Sequence, residues 1–136
     1  MSATFEQHDD RHLWTLADHR VTQLVVELGA VRLVTWTLDA SLDVRLGTAF
    51  TLRQADGIDR VADPDEPERL APLLTLVGRW AETLTVTNGA ELVLTFSDGT
   101  LLAARPDPRY EAWQVQGGGA LEGLTYVARP GGGSPW

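Results

Sequence analysis

The stretch from Trp80 to Ala104 constrains the fold more than any other part of the chain, because it combines alternating side chains with glycine-bearing turns. Two turn sequences, Asn88-Gly89 and Ser97-Asp98-Gly99, separate three runs of residues that favour β-strands. Each turn is short enough to join neighbouring antiparallel strands directly. The stretch therefore predicts an antiparallel three-stranded meander.

Side-chain alternation selects the register of this meander. A two-residue turn at Asn88-Gly89 would mix apolar and polar residues, because a slip of one residue moves every side chain to the other face. A three-residue loop that ends with Gly89 in the left-handed region gathers the apolar residues on one face. At the second turn, a two-residue turn that joins Phe96 to Leu101 fits nearly as well. The three-residue loops pair Leu84 with Leu92, Val86 with Ala90, Leu94 with Leu102 and Phe96 with Thr100.

Three earlier runs also favour strands. Val21–Leu28 and Val31–Leu38 are rich in Val, Leu, Thr and Trp, and Gly29-Ala30 separates them, which predicts a β-hairpin. Ser41–Leu52 begins with alternating apolar and polar residues, as a strand with one solvated face does. Gly47 indicates a bulge in this third run.

One segment has helical periodicity. Acidic residues precede it, and they suit the positive end of a helix dipole. Pro72 is incompatible with the interior of a regular α-helix, so the helix either begins near Glu68–Leu70 or is kinked, and Gly78 is the expected end. The apolar stripe that would face a sheet consists of Leu70, Leu73, Leu74 and Val77.

Proline and glycine clusters divide the C-terminal part of the chain. Pro106-Asp107-Pro108 prevents regular strand pairing and turns the chain. Tyr110–Val115 then predicts a strand, Gly117–Gly119 a flexible turn, and Leu124–Ala128 the last strand.

These patterns predict an α+β domain. A mostly antiparallel, curved sheet of about seven or eight strands packs on one short helix over Glu68–Gly78, and a partly closed barrel is an alternative form. Residues 1–12 predict a flexible N-terminus and residues 131–136 a loose Gly/Pro tail. A chain of 136 residues with 43% hydrophobic residues is expected to form a single globular domain, here over residues 13–130.

The composition removes most catalytic chemistries. The chain contains no cysteine and no lysine, and its three histidines, His8, His12 and His19, lie within the first nineteen residues. Schiff-base chemistry, thiolate nucleophiles, cysteine-based metal sites and a histidine base beyond residue 19 are therefore excluded. Arginine, carboxylates, tyrosine and serine remain.

The net charge indicates which classes of partner the protein favours. Eleven basic residues against nineteen acidic ones give a net charge of −8 at pH 7. This charge disfavours nucleic acid and anionic membranes and favours a protein partner with a basic surface. The apolar runs are shorter than a membrane span, and the first eleven residues lack the pattern of a signal peptide, so a cytoplasmic location is expected. No cofactor and no metal are expected.

The strongest candidate for a binding site follows the meander. Arg, Tyr and Trp are enriched at interface hot spots, and here they lie on a proline-stiffened loop and the strand after it. Because side chains alternate between the two faces of a strand, either Tyr110 or Trp113 is expected in the core. Asp107 has a structural explanation, since aspartate commonly stabilises turns. The candidate cluster consists of Arg105, Asp107, Arg109, Tyr110 and Trp113.

Other chemistry-bearing residues have structural explanations. His8 and His12 have the i, i+4 spacing of helical metal ligands, but few helix formers surround them, so a solvated terminus is favoured over a metal site. His19 beside Asp18 is interpreted as a surface pair. Core or rim packing is the interpretation for Trp14, Trp36 and Trp80.

Two segments of the sequence resemble a known family. Leu94–Thr100, with Asp98-Gly99-Thr100, and Pro106–Trp113, with Tyr110-Glu111-Ala112-Trp113, are similar to a family of small bacterial proteins known only as a domain of unknown function. The resemblance is weaker at Val21–Leu28 and Leu70–Leu74. The chain departs from the pattern at Gly131–Pro135, before Trp136. The resemblance implies a compact single domain, and it supplies no reaction, cofactor or catalytic residue.

The residues favour a non-enzymatic function. We expect an acidic protein-interaction module, of the accessory or immunity type, that covers a basic surface of its partner. An enzyme that uses Arg, Tyr and a carboxylate such as Glu111 is less favoured, because acid–base chemistry without histidine needs strongly shifted pKa values. The alternative is a small-molecule-binding protein with an apolar pocket between sheet and helix, lined by Trp36, Leu84, Phe96 or Trp113.

Overall fold

The structure, a computed structural model, describes residues 3–136. It consists of one eleven-stranded antiparallel sheet and one short 3₁₀ helix, Pro67–Leu76, whose buried side chains join the core. The strands are β1 (Thr4–Gln7), β2 (Arg11–Glu27), β3 (Ala30–Trp36), β4 (Ala40–Leu46), β5 (Phe50–Arg53), β6 (Asp59–Ala62), β7 (Trp80–Thr87), β8 (Leu92–Phe96), β9 (Leu101–Ala104), β10 (Trp113–Gly119) and β11 (Thr125–Val127).

The sheet is organised around β2. The strand order is β11-β10-β4-β3-β2-β7-β8-β9-β5-β6, and β1 pairs with β2 outside this path. β2 is seventeen residues long, so its first part pairs with β1 and β7 while its second part pairs with β3. β2 therefore connects the two halves of the sheet.

The predicted fold class was wrong in its strand count and in its helical content. The sheet has eleven strands rather than seven or eight, and it is not closed into a barrel. A mostly-β description fits residues 3–136 better than α+β, since their one helix is a short 3₁₀ helix. The strands missing from the prediction, such as β1 and β6, are short and polar. Backbone pairing of β1 with β2 and of β6 with β5 stabilises them, so no apolar pattern marks them in the sequence.

Both predicted hairpin regions are confirmed. β7, β8 and β9 pair as consecutive antiparallel strands, and the amide of Phe96 donates to the carbonyl of Thr100 as the three-residue loop requires. β2 and β3 pair around a two-residue turn at Leu28-Gly29, one residue earlier than predicted, with Gly29 at a φ of 74°. The local turn chemistry was sufficient to predict which strands pair, but not the register of every pair.

The register of β7 against β8 differs from the prediction by two residues. Leu84 pairs with Leu94, and Val86 with Leu92. The loop comprises Asn88–Ala90, and Ala90 rather than Gly89 adopts a left-handed φ, 63°. A slip of two residues keeps each side chain on its face. The predicted apolar face is therefore correct although the predicted pairs are not.

The predicted helix has a different period and different ends. It runs over Pro67–Leu76 rather than Glu68–Gly78, with Pro72 inside it. In a 3₁₀ helix, residues three apart lie on the same face, so Leu74 and Val77 are 65% and 45% exposed. The buried stripe consists of Leu70, Leu73 and Leu76.

The glycine triplet predicted as a flexible turn lies inside β10. Its three residues pair with Leu42, Ser41 and Ala40 of β4. A Cβ atom at Gly117 would collide with the backbone of Leu121, and one at Gly119 with the carbonyl of Asp39. Gly117 and Gly119 are needed because other backbone segments approach β10 too closely for side chains at these positions.

Both ends of the chain contact the sheet. Residues 1–12, predicted to be flexible, include β1 and the start of β2, and residues 1 and 2 lie outside the described part. The tail predicted to be loose over residues 131–136 makes specific contacts with the rest of the chain. The amide of Gly131 donates to the carbonyl of Asp107, and the ring of Trp136 stacks on His12. Each contact joins residues far apart in the sequence, so local composition gave no indication of it.

The core is one continuous cluster of buried apolar side chains from most of the strands and the helix. Trp113 and Phe96 are its largest fully buried members, at 1% and 2% exposure. Within residues 3–136, no helix is long and apolar enough to cross a membrane. On the surface around β2, large side chains such as Trp36 and Trp80 remain exposed.

Candidate functional site

The structure separates the residues of the predicted binding cluster. Trp113 is buried in the core, and its indole Nε1 donates to the carbonyl of Ala90 at 2.9 Å. The carboxylate of Asp107 accepts hydrogen bonds from the backbone amides of Arg109 and Tyr110 at 2.7 and 3.0 Å. Trp113 therefore anchors the core, and Asp107 organises the turn between the two prolines and β10.

The other three members of the cluster are exposed. Arg105, Arg109 and Tyr110 all lie at the surface, and Tyr110 is 65% exposed. Arg105 lines a surface pocket of about 300 Å³ beside β5 and β9. In the described chain, neither arginine takes part in an ion pair. These side chains are free to contact a ligand, and binding by them stays a prediction.

A row of three exposed side chains crosses the middle of the sheet. Trp36 of β3, Arg20 of β2 and Trp80 of β7 lie opposite one another, so their side chains project from the same face. Trp36 is 55% exposed and Trp80 is 44% exposed, although the sequence favoured core or rim packing for both. We call these three residues the Trp-Arg-Trp row.

The arginine of this row is held in place. Its guanidinium carbon lies 5.5 Å from the centroid of the Trp80 ring, within the range of a cation–π contact. Its Nε also donates to the carbonyl of Gly78 at 3.0 Å. Arg20 is therefore ordered before any partner binds.

Irregular strand pairing surrounds the row. β2 carries two extra residues relative to β7 between Thr15 and His19, and one relative to β3 between Val21 and Gln23. β7 has a further irregularity next to Ala81. Bulges bend a strand and increase its twist. The row therefore lies where the sheet bends.

A cavity of about 80 Å³ lies beside the larger bulge of β2, and Trp14, His19 and Asp39 are among its walls. It adjoins a wider depression of about 480 Å³ whose lining includes Asp18 and Leu38. Asp18 has a φ of 59°, which is uncommon for a residue with a side chain. The bulge and the β3–β4 turn thus form a cleft with acidic side chains at its mouth.

His19, which the sequence suggested as part of a surface pair, is only 2% exposed and lines this cavity. Its Nδ1 lies 2.9 Å from the hydroxyl oxygen of Thr35. Burial lowers the pKa of His19 below its ordinary value of 6.5, and the charges of Asp39 and Asp18 partly oppose this shift. The imidazole is therefore neutral at pH 7.

The second buried histidine, His12, belongs to an aromatic cluster that joins both ends of the chain. His12 Nδ1 and Trp14 Nε1 each lie 2.9 Å from the hydroxyl of Tyr126. The ring of Trp136 stacks on His12 with centroids 3.7 Å apart. Burial lowers the pKa of His12 and raises that of Tyr126. In residues 3–136, no group of three or more His, Asp or Glu side chains is arranged to hold a metal ion.

We expect the free energy of unfolding to fall as the pH decreases below about 6.5. A histidine with a lowered folded-state pKa binds its proton more readily in the unfolded chain. It therefore stabilises the fold above the unfolded pKa, and this stabilisation is lost as the pH falls towards the folded pKa. His12 and His19 both act in this direction, each by at most about 1.4 kcal/mol per pH unit. Urea denaturation at about pH 7.5 and about pH 5.5 measures the loss.

The variants His12→Gln and His19→Gln provide the control for this pH dependence. A double variant that folds lacks both titrating groups, so its stability should change less between the two pH values. Equal stability of the wild-type chain at both values would contradict the expectation.

The apolar pocket expected between sheet and helix is not lined by the predicted residues. Leu84, Phe96 and Trp113 are buried in the core, and Trp36 is on the surface. An open groove of about 210 Å³ does lie between β2 and the 3₁₀ helix, with Leu24, Val26, Leu70 and Leu74 in its lining. This groove is a location for the small-molecule alternative, but the exposed rim at Leu74 leaves it open to solvent.

A comparison with known families identifies the family to which the chain belongs. A family model described as a family of unknown function (DUF6188) matches residues 11–135. The chain belongs to this family. No curated protein and no solved structure gives a significant match. The resemblance to an uncharacterised family is thus confirmed, whereas its signature residues and a bacterial source stay predictions.

The family match spans β2 to β11 and leaves Trp136 just outside. The residues of the Trp-Arg-Trp row are distant in sequence, and sequence reasoning did not bring them together. If the β2–β3 hairpin were regular, Trp36 would lie opposite Val21, and the extra residue in β2 makes Arg20 its partner instead. The row therefore depends on a bulge that the sequence did not reveal.

Proposed function

We propose that this protein is a non-enzymatic interaction domain that uses the Trp-Arg-Trp row to bind a partner protein with a basic surface. The exposure of Trp36 and Trp80 on either side of an ordered arginine is the observation that carries the proposal. Tryptophan and arginine supply much of the binding energy at protein interfaces. Because Arg20 is already held, less side-chain entropy is lost on binding.

Charge complementarity supports a basic partner. The chain has a net charge of −8 at pH 7. Seven ion pairs among residues 3–136 engage six arginines, and most of the nineteen acidic side chains lie outside these pairs. Asp18, Asp39 and Glu82 are exposed members of that set, on the bulge, the β3–β4 turn and β7. Their negative charge favours a basic partner and accelerates the encounter.

The biological setting is part of the same proposal. A small acidic domain suits an accessory or immunity-type role, in which it covers a functional surface of another protein. We place this interaction in the cytoplasm, where the lack of cysteine is compatible with a reducing environment. The proposed activity requires no cofactor and no nucleic acid.

The Trp36→Ala variant is expected to bind the partner about 30-fold more weakly, because an interface hot spot contributes about 2 kcal/mol or more. The partner is first isolated with the immobilised wild-type chain from cells of the source organism and identified by mass spectrometry. Its affinity for the purified wild type, Trp36→Ala and Trp80→Ala chains is then measured by calorimetry.

Two controls sharpen this experiment. Ile58→Ala truncates another exposed apolar residue, 56% exposed, and should leave binding unchanged. Arg109→Ala/Tyr110→Ala tests the cluster predicted from the sequence, and a loss of binding there alone would move the interface to that loop. Recovery of only acidic proteins, or of none, would overturn the proposed function.

A further inference from the structure

The cavity beside His19 is an unusual feature for a packed sheet. It exists because two extra residues in β2 lie between Thr15 and His19, where the strand separates from regular pairing with β7. The left-handed φ of Asp18 is part of this bulge. Backbone strain of this kind costs free energy and is concentrated at functional sites. The bulge therefore marks the cavity as a candidate binding site.

The wall of the cavity contains a buried imidazole. His19 is 98% buried, and its Nδ1 is engaged by Thr35 Oγ1. When Nδ1–H donates to Thr35, Nε2 carries a lone pair that is able to accept an N–H group. Trp14 provides an aromatic wall of the same cavity.

The mouth of the cleft is negatively charged. Asp18 and Asp39 are exposed there, and neither is in an ion pair within the described chain. The hydroxyl of Thr37 donates to Asp39 Oδ1 at 3.0 Å, which orients that carboxylate. Both carboxylates lie close enough to His19 to act on it electrostatically. Two carboxylates, a neutral imidazole acceptor and an indole ring suit a ligand that is cationic and donates several hydrogen bonds.

We infer that this cleft receives one basic side chain of the partner, the guanidinium of an arginine or the ammonium of a lysine. The inference rests on the proposed function, because it names the part of the basic partner that binds next to the Trp-Arg-Trp row. Trp36 is followed directly by Thr37 and Leu38 of the cleft, so one surface includes both features. The row supplies apolar contact area, and the cleft supplies charge recognition.

The cleft is tested with small cations on the full chain. n-Butylguanidinium and n-butylammonium chloride stand for the two side chains, and n-butanol is the neutral control of similar length. We expect saturable shifts of the His19 ring and Trp14 indole resonances with one or both cations and none with butanol. Asp39→Asn should weaken cation binding about tenfold, because one of two carboxylates is lost from the mouth. No saturable shift with either cation would overturn the inference.

A matched variant separates a local effect from the effect of net charge. Asp9→Asn also removes one exposed carboxylate, but at the β1–β2 turn, so cation binding should be unchanged. Equal weakening by Asp9→Asn and Asp39→Asn would overturn the inference in favour of general electrostatic attraction. Both positions are exposed, and neither substitution removes a core contact.

The partner assay distinguishes the two proposals. If Trp36→Ala weakens partner binding while Asp39→Asn leaves it unchanged, the inference fails and the proposed function stands. If both variants weaken it, and the cation competes with the partner, the inference is supported. If the cations bind but no basic protein partner is recovered, the proposed function is overturned. The assignment of the cleft to a side chain of such a partner is then overturned as well.

Discussion

Trp113→Ala is expected to lower the free energy of unfolding by about 3–5 kcal/mol. Trp113 is 1% exposed, so its removal leaves a large cavity in the core. It also deprives the carbonyl of Ala90 of its hydrogen bond from Nε1. Urea denaturation followed by circular dichroism measures the change.

Two other substitutions test the origin of this loss. Trp113→Phe keeps most of the buried ring but removes the Nε1 donor, so it should cost less than the alanine variant. Trp36→Ala removes the same residue type from the surface and should change stability by no more than about 0.5 kcal/mol. A loss for Trp113→Ala as small as that for Trp36→Ala would contradict the burial that the structure assigns to Trp113.

Gly117→Ala is expected to destabilise the fold by about 3 kcal/mol, the upper range for overpacking, because the new Cβ would meet backbone. The atoms in its way are the carbonyl oxygen and Cβ of Leu121, and neither is the flexible end of a side chain. Gly117 also pairs with Leu42 of β4, so a shift of β10 would disturb the pairing of two strands. The same denaturation experiment measures this loss.

Gly133→Ala is the matched control for this substitution. It adds the same methyl group to an exposed glycine with no atom within 4 Å of the new Cβ and no left-handed φ. Its stability should therefore remain within about 0.5 kcal/mol of the wild type. If Gly117→Ala were equally harmless, the glycine triplet would be a tolerant connector, as its sequence alone suggested.

The glycine triplet has a role in the structure that its local sequence does not indicate. Three consecutive glycines indicate flexibility from local propensity alone. In the structure, Gly117–Gly119 instead complete β10 against β4, with Leu121 and Asp39 packed onto their backbone. This requirement comes from segments that approach in three dimensions, and no local pattern encodes it.

The burial of His12 likewise depends on contacts with distant residues. His12 lies in a polar segment, yet it is 8% exposed because Tyr126 and Trp136, from the other end of the chain, pack around it. The candidate site also depended on long-range structure. β2 is bulged and pairs with both β3 and β7. Only for this reason do Arg20, Trp36 and Trp80 lie side by side on neighbouring strands.

The sequence by itself determined the β7–β9 meander, the β2–β3 hairpin and the apolar face of the meander, because turn residues and alternating side chains act over a few neighbouring positions. It also determined the net charge and the absence of cysteine and lysine chemistry. Only the tertiary structure decided the eleven-stranded order, the bulges, the burial of His12 and His19, and the exposure of the Trp-Arg-Trp row. These features depend on contacts between segments that are distant in the sequence. The free energy of such contacts cannot be read from any local stretch of the chain.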